Sequence, residues 1–421
     1  MPRNSTCVSI LFLAASLGFA QSPPLTLDQC IQLAQNAPSS VALARQQTVI
    51  ARYGVTVARS GLFPLLSLQN GYLYNTPGPD GFRFVSLNAP REFVNQGQMD
   101  LAVDTNGRIR ADIARARADQ RLSQANLTIS QRDIRRLVTT SFYRLVLARR
   151  LVTVTRDALA ESLRFQDLTQ KLFNGGEAAQ ADVIKASADA SFQQLAVSNA
   201  ELEAQLSNNE LASFWTTDVA ARLEVVDTLD TVTPAPVTPE TNQPFLNRPE
   251  FTAFNAARDG YQADIRRAKS DRLPQMHITY QYGIDTGTPL TYANRGQAVI
   301  ATLAIPIFDW SRSKSLIAQA RIQSDQLQTT VAIAQRSFSR EYQDALTRVN
   351  QVFAQFTLTN EQVRLSTENL RLSRVRYQGG EGLALDVVSA QTQLAQARAN
   401  QYTAMANYAN ARADLEVAAG R

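Results

Sequence analysis

The chain has 421 residues, with 42 Lys and Arg against 37 Asp and Glu, a single His and two Cys. A formal charge of +5 with no block of like charge argues against a nucleic-acid partner. One imidazole and two thiols leave no zinc constellation.

Residues 1–20 combine Arg3, the uncharged run Val8 to Ala20, and Gly18-Phe19-Ala20 before Gln21, the pattern of a cleaved secretory signal. That run of about 13 residues is too short to span a bilayer, and no later stretch of about 20 apolar residues exists. An exported chain without a transmembrane helix is therefore expected. Cys7 leaves with the signal, so Cys30 has no internal disulfide partner.

The first repeat is expected over 21–225. Thr26 to Arg59 reads as one helix, with Thr26 and Asp28 suited to its first turn and Leu27, Ile31 and Ala34 at helical spacing. A β-hairpin over about 62–104 follows. Leu66, Leu68, Tyr72 and Tyr74 alternate with Ser67, Gln69 and Leu73, and Met99, Leu101 and Val103 alternate with Gln98, Asp100 and Ala102. Pro77 to Arg91 is the connecting loop. A long helix over 107–172 contains no proline, and Val138, Leu145, Val152 and Leu159 recur every seven residues. A tip at 173–177 and a helix at 178–215 complete the unit.

Residues 226–249 carry Pro234, Pro236, Pro239, Pro244 and Pro249, too many for a helix or a central strand. A linker or a belt around the rods is expected there. The second repeat, 250–421, has the same order: helix, hairpin over about 273–308, long helix 311–376, tip 377–382, helix 383–418. Met276, Ile278, Tyr280 and Tyr282 oppose Gln275, His277, Thr279 and Gln281; Val299, Leu303, Ile305 and Ile307 line the returning strand, and Asp285 to Arg295 is the loop. Val331, Phe338, Ala345 and Val352 repeat the heptad. His277 reads as a polar lining residue.

The two tips are near copies. FNGGEAAQAD begins at Phe173 and YQGGEGLALD at Tyr377, so aromatic, glycine pair, glutamate and aspartate coincide at an offset of 204 residues, from 173 to 377. Each reads as the turn of an antiparallel helical hairpin. Each repeat then supplies one unbroken rod of roughly 100 Å and a second rod spliced from two shorter helices.

Strands with one apolar and one polar face suit a half-buried soluble sheet or the wall of a membrane barrel. Four strands cannot close a barrel, so a membrane-spanning sheet requires several copies. A soluble periplasmic coiled-coil scaffold is the alternative. An enzyme is not expected, because GGEG lacks the phosphate-loop lysine and follows a helix, and no His or Cys stands near an acid pair.

LTLDQCIQLAQNAP after the signal, NRPEF at Asn247 to Phe251, PIFDW at Pro306 to Trp310 and YQGGEGLALDVVSAQTQL at the second tip, in that order, resemble the TolC family of outer-membrane channels over the whole mature length. The first half has LAVDTNG where PIFDW would fall. The resemblance implies a mixed α and β fold: a homotrimer with a 12-stranded outer-membrane barrel, four strands per chain, continuous with a coiled-coil periplasmic tunnel. It implies lipid around the barrel, a periplasmic adaptor (membrane fusion protein) and an inner-membrane pump as partners, and no cofactor. By position it makes Asp386, Tyr377 and Asp182 gate residues, Asp386 forming a ring of three carboxylates. It makes Phe173, Gly175, Gly176, Glu177, Gly379, Gly380, Glu381, Gly382 and Leu383 the adaptor-docking tip. The basic gate partner known in the family falls at Gly382 here and a second aspartate at Ser389, so closure is expected to lean on hydrogen bonding by Tyr377 and on helix packing. Asp182 and Asp386 also lie where a carboxylate complements a helix N-terminus without further role.

Overall fold

The computed structural model describes residues 24–76, 90–240, 242–287 and 295–421. The expected signal, and loop residues 77–89 and 288–294, lie outside the described residues.

The chain enters through α1 (Leu27–Asn36), where Thr26 accepts from the Gln29 N–H at 3.3 Å and the Gln29 side chain accepts from the Thr26 N–H at 2.9 Å. These reciprocal bonds satisfy two otherwise unpaired donors. α2 (Ser40–Ser60) is separate, which corrects the expectation of one helix from Thr26 to Arg59. Pro38 has no N–H to offer and pushes Ala37 to extended backbone (ψ 163°), so the helix stops and restarts.

Next come β1 (Leu65–Tyr74), β2 (Arg91–Val103), α3 (Arg108–Asn174) and α4 (Gln180–Ala212). The second half holds α5 (Pro249–Ser270), β3 (Gln275–Thr286), β4 (Arg295–Ala304), α6 (Arg312–Gln378) and α7 (Ala384–Ala418). α3 and α6 are both 67 residues, or about 100 Å of helix each. No described helix is long and apolar enough to cross a membrane.

The four strands make one antiparallel sheet in the order β1-β2-β3-β4. Its register sorts the side chains onto two faces. Leu66 pairs with Met99, Met99 with Tyr280 and Tyr280 with Val299, while Leu101 pairs with Ile278 and Val103 with Met276, all on an apolar and aromatic face. Ser67, Gln98, Gln281 and Ala298 pair in turn on the other face, with Asp100, Thr279 and His277. There Asp100 accepts from Gln98 Nε2 and Thr279 Oγ1, both at 2.7 Å, and Gln98 accepts from Gln281 at 3.3 Å. Among the described residues one side of β1 and one side of β4 have no strand partner, and nearly all of both strands is exposed.

The splice of short helices onto long ones shows in the cores. One cluster brings Cys30, Ile31 and Ala34 of α1 together with Leu211 of α4 against Val138, Phe142 and Leu145 of α3. Burial pushes the Cys30 thiol up to about 11, as suits a packing residue and not a reactive one. A second cluster puts Phe245, just before α5, beside Leu415 and Ala418 at the end of α7, against Tyr342, Leu346 and Val349 of α6. The expected heptads are met only in part. Val138, Leu145 and Val352 are buried, whereas Val152, Leu159, Val331, Phe338 and Ala345 are half-buried and the seam moves to residues such as Val154, Tyr342 and Val349. A straight helix of 3.6 residues per turn drifts off a seven-residue repeat.

The proline-rich segment is a belt. It starts beside the chain's entry, where the Val226 N–H donates to the Leu25 carbonyl at 2.9 Å, and side chains on the rods then hold its backbone: the Ala235 N–H donates to Tyr408 at 3.1 Å, Tyr408 donates to the Ala235 carbonyl at 3.0 Å, Asn350 exchanges two bonds with Val237, and the Glu240 N–H donates to Tyr342 at 3.2 Å. Where the belt ends, Arg132 binds Glu250 through two bonds of 2.8 and 2.9 Å, and Arg248 bridges Glu250 and Glu341. Burial pushes the Glu250 carboxyl up, but the two guanidiniums and its own N–H outweigh this and hold it below the usual glutamate range.

The two strand-to-helix junctions differ. Before α3 the left-handed position is Gly107 (φ 78°). Before α6 it is taken by two side-chain-bearing residues, Trp310 (φ 51°) and Ser311 (φ 66°), a conformation that costs about 1–2 kcal/mol per residue.

Candidate functional site at the hairpin tips

Both turns end a 67-residue helix by the same hydrogen-bond pattern. In the first, Gly175 N–H donates to Lys171, Gly176 to Phe173 and Glu177 to Leu172 at 2.8–3.0 Å. In the second, Gly379 donates to Val375, Gly380 to Tyr377 and Glu381 to Arg376 at 2.9–3.1 Å. Gly176 and Gly380 hold the left-handed position, φ 80° and 76°, which a glycine takes without strain. Gly382 has a different reason to be glycine, because a Cβ there would lie 3.0 Å from the Tyr377 nitrogen. A side chain at this position would crowd the backbone of Arg376 and Tyr377.

The two aromatics at the tips do not share an environment. Phe173 is 38% exposed. Tyr377 is 7% exposed and sits edge-on to Phe165 of α3, ring centroids 5.2 Å apart. Around this pair Leu168, Leu172 and Ala186 of the first hairpin meet Leu370, Ala384, Val387 and Leu394 of the second. The Tyr377 hydroxyl is shut off from solvent and has no hydrogen-bond partner. Within this chain Tyr377 joins the hairpins through its ring.

Asp386 lies in the first turn of α7, exposed, and its carboxylate accepts from the Leu383 N–H across a long 3.4 Å. Asp182 occupies the matching first turn of α4 and is half-exposed. Both carboxylates thus stand at helix N-termini, where the unpaired N–H groups favour negative charge. Glu177, Glu381 and Leu383 are exposed on the turns.

Other contacts near the tips were not legible in the sequence. Arg374 of α6 pairs with Glu161 of α3, and Arg398 of α7 faces Asp157 at 3.9 Å. Asp189, buried in α4, accepts a close hydrogen bond from Ser162. These ion pairs border a half-open cavity of about 600 Å³ between α3, α6 and α7, which Gln391 also lines. Nothing in local spacing marks these residues, because each partner comes from a different helix. Among the described residues no group of His, Cys, Asp and Glu could hold a metal ion.

The chain is 23% identical over 379 residues to the cobalt-zinc-cadmium resistance protein CzcC of Cupriavidus metallidurans, covering 89% of this chain and 85% of that one. Its fold matches the CmeC outer membrane channel of Campylobacter jejuni with a TM-score of 0.82 at 15% identity, over 100% of this chain and 93% of that one. It also matches the open state of the MtrE outer membrane channel of Neisseria gonorrhoeae with a TM-score of 0.76 at 20% identity, over 94% of this chain and 88% of that one. The family pattern of outer membrane efflux proteins covers residues 30–217 and 242–421, both halves and both tips. With its two-faced sheet, its 67-residue helices and its paired tips accounted for over that span, the chain belongs to the outer membrane efflux protein family.

Proposed function

We propose that three copies of this chain form a passive exit duct across the outer membrane, receiving substrates from an inner-membrane pump through a periplasmic adaptor. The observation that carries this reading is the sheet. It has an apolar face, a polar face and two unpartnered edges, so in lipid it must pair with further copies until no edge remains. Three copies of four strands make a barrel of twelve, polar inside, and the paired halves of each chain continue it as a helical tunnel. Family membership favours this duct over a soluble periplasmic scaffold.

At the far end the tips narrow the tunnel and meet the adaptor. Three Asp386 carboxylates near one axis attract multivalent cations, and Tyr377, packed on Phe165, holds the second hairpin against the first. Asp182 stands with them at the gate, and Phe173, Gly175, Gly176, Glu177, Gly379, Gly380, Glu381, Gly382 and Leu383 form the surface presented to the adaptor. Conductance of the full-length protein in planar bilayers tests the proposal. One conducting unit per three chains is expected, blocked by multivalent cations, with block weakened in Asp386→Ala. Absence of conductance from a correctly inserted protein refutes the duct. Unaltered block in an assembled Asp386→Ala trimer leaves Asp386 with its helix-terminus role alone.

A further inference from the structure

The segment between β4 and α6 is built unlike its counterpart between β2 and α3. After Pro306 it exposes Ile307 (96%), Phe308 (70%) and Trp310 (86%), the last two stacked edge to face with centroids 4.7 Å apart. Two successive left-handed residues, Trp310 and Ser311, turn the chain here and hold the indole outward. Asp309 accepts from the Ser313 N–H at 2.9 Å and from its hydroxyl, which ties the turn to the first turn of α6. Those bonds from Ser313 hold the Asp309 carboxyl below its ordinary range, with a smaller contribution from Arg272, ahead of β3, and Arg312 and Lys314 are exposed on the turn. None of Arg272, Arg312 and Lys314 lies within ion-pair distance of a carboxylate among the described residues.

The equivalent junction before α3 is closed on itself. Asp104 accepts from the Ile109 and Arg110 N–H groups and from the Arg110 guanidinium at 2.8–3.2 Å, Thr105 donates to the Pro274 carbonyl, and Asn106 donates to that of Ser270. Its cations are paired: Arg110 with Asp104, Arg108 with Asp271 at 3.8 Å. Two positions 204 residues apart, Arg108 and Arg312, thus begin helices of equal length from opposite surroundings.

We propose that Phe308, Trp310, Arg312, Lys314 and Arg272 form a binding surface for the headgroups of anionic phospholipid at the periplasmic boundary of the barrel. The rings enter the headgroup layer and the three cations meet phosphate. The surface continues the apolar face of the sheet, which ends at Leu303. An aromatic ring beside Arg and Lys at the end of a membrane span is the pattern that anchors a protein at the interface, and cations there are drawn to anionic lipid. A second copy is the competing occupant, since β4 is an open edge. The surface it would bring is the foot of β1 with the last turn of α2, whose one charged residue is Arg59. A neighbouring copy adds like charge, whereas lipid phosphate neutralises it.

The proposal rests on the membrane placement of the sheet. Full-length protein in mild detergent is incubated with phosphatidylglycerol, phosphatidylcholine or inorganic phosphate at equal concentration, and bound lipid is counted by native mass spectrometry alongside the thermal midpoint. Wild type is expected to retain at least five-fold more phosphatidylglycerol than phosphatidylcholine and to melt several degrees higher with it. The R272Q/R312Q/K314Q variant loses that preference, Trp310→Ala lowers retention of both lipids about two-fold, and R272K/R312K keeps the wild-type pattern. A control at K185Q/R336Q/R348Q, away from the junction, leaves it unchanged. Equal retention of the two lipids by wild type overturns the proposal, as does a triple variant that keeps its phosphatidylglycerol. Equal stabilisation by inorganic phosphate shows a free-anion site instead. Loss of assembly in the triple variant without a lipid effect shows a subunit contact. A wild type that inserts and conducts without lipid preference refutes this surface and leaves the duct standing.

Discussion

The two tips are near copies in sequence and unlike in packing. Phe173 and Tyr377 end helices of the same length, four residues ahead of matching glutamates, yet one is 38% exposed and the other is buried against the opposite hairpin. The difference teaches that the contact between the hairpins runs through the second tip's aromatic and not the first's: Tyr377 reaches Phe165, and Arg374 three residues before it reaches Glu161. If the tips gate the tunnel as proposed, the contact between Tyr377 and Phe165 is what holds the second hairpin to its seat on the first.

Breaking the seat should have the largest effect. Phe165→Ala removes the ring beneath Tyr377 and is expected to cost about 3–5 kcal/mol of local stability. Hydrogen exchange in the last turns of α6 and the first of α7 should rise, with resting conductance. Exchange confined to α3 would show that the tips are not coupled. Acidification comes next and acts at the belt, away from the tips. The Glu250 carboxyl is held below its ordinary 4.5, so the stability it contributes is complete above that pH and is lost as pH falls through the lower folded value. Its charged hydrogen bonds are worth about 1.5–3 kcal/mol. Thermal midpoints below pH 4.5 should fall less in Glu250→Gln than in wild type, and parallel curves would contradict the assignment.

Tyr377→Phe sharpens the comparison by separating ring from hydroxyl. Removing a buried hydroxyl without a partner should leave the tip as stable or more stable by up to about 1 kcal/mol, with resting conductance unchanged. A rise in conductance would show that the hydroxyl finds a partner in the assembled channel. Phe173→Ala should be the mildest, within about 0.5 kcal/mol, because an exposed side chain away from packed features contributes little. A loss of several kcal/mol there would erase the asymmetry between the tips.

Much of the fold was legible because its signals are local. Alternation along Met276 to Tyr282 assigned the sheet's faces, the proline-free stretches announced the long helices, and the glycine pairs marked the turns. The break at Pro38 was equally local, but the apolar spacing carried across it. What sequence spacing could not reveal is contact between distant segments. Phe165 and Tyr377 lie on different hairpins, Ser162 meets Asp189 across a helix pair, and the belt's partners Tyr342, Asn350 and Tyr408 sit on the rods it crosses. Asp182 and Asp386 were readable as helix-start carboxylates, and this chain alone places both there.

The central claim is that β1 of one copy closes on β4 of the next. Single cysteines at Ser67 or Gln69 of β1, combined with single cysteines at Ala298, Ile300 or Thr302 of β4, all on the polar face, test it in intact outer membranes after Cys30→Ala removes the native thiol. The account predicts that at least one pairing gives a covalent trimer on a non-reducing gel. Correctly inserted protein that yields only monomer from every pairing would contradict it.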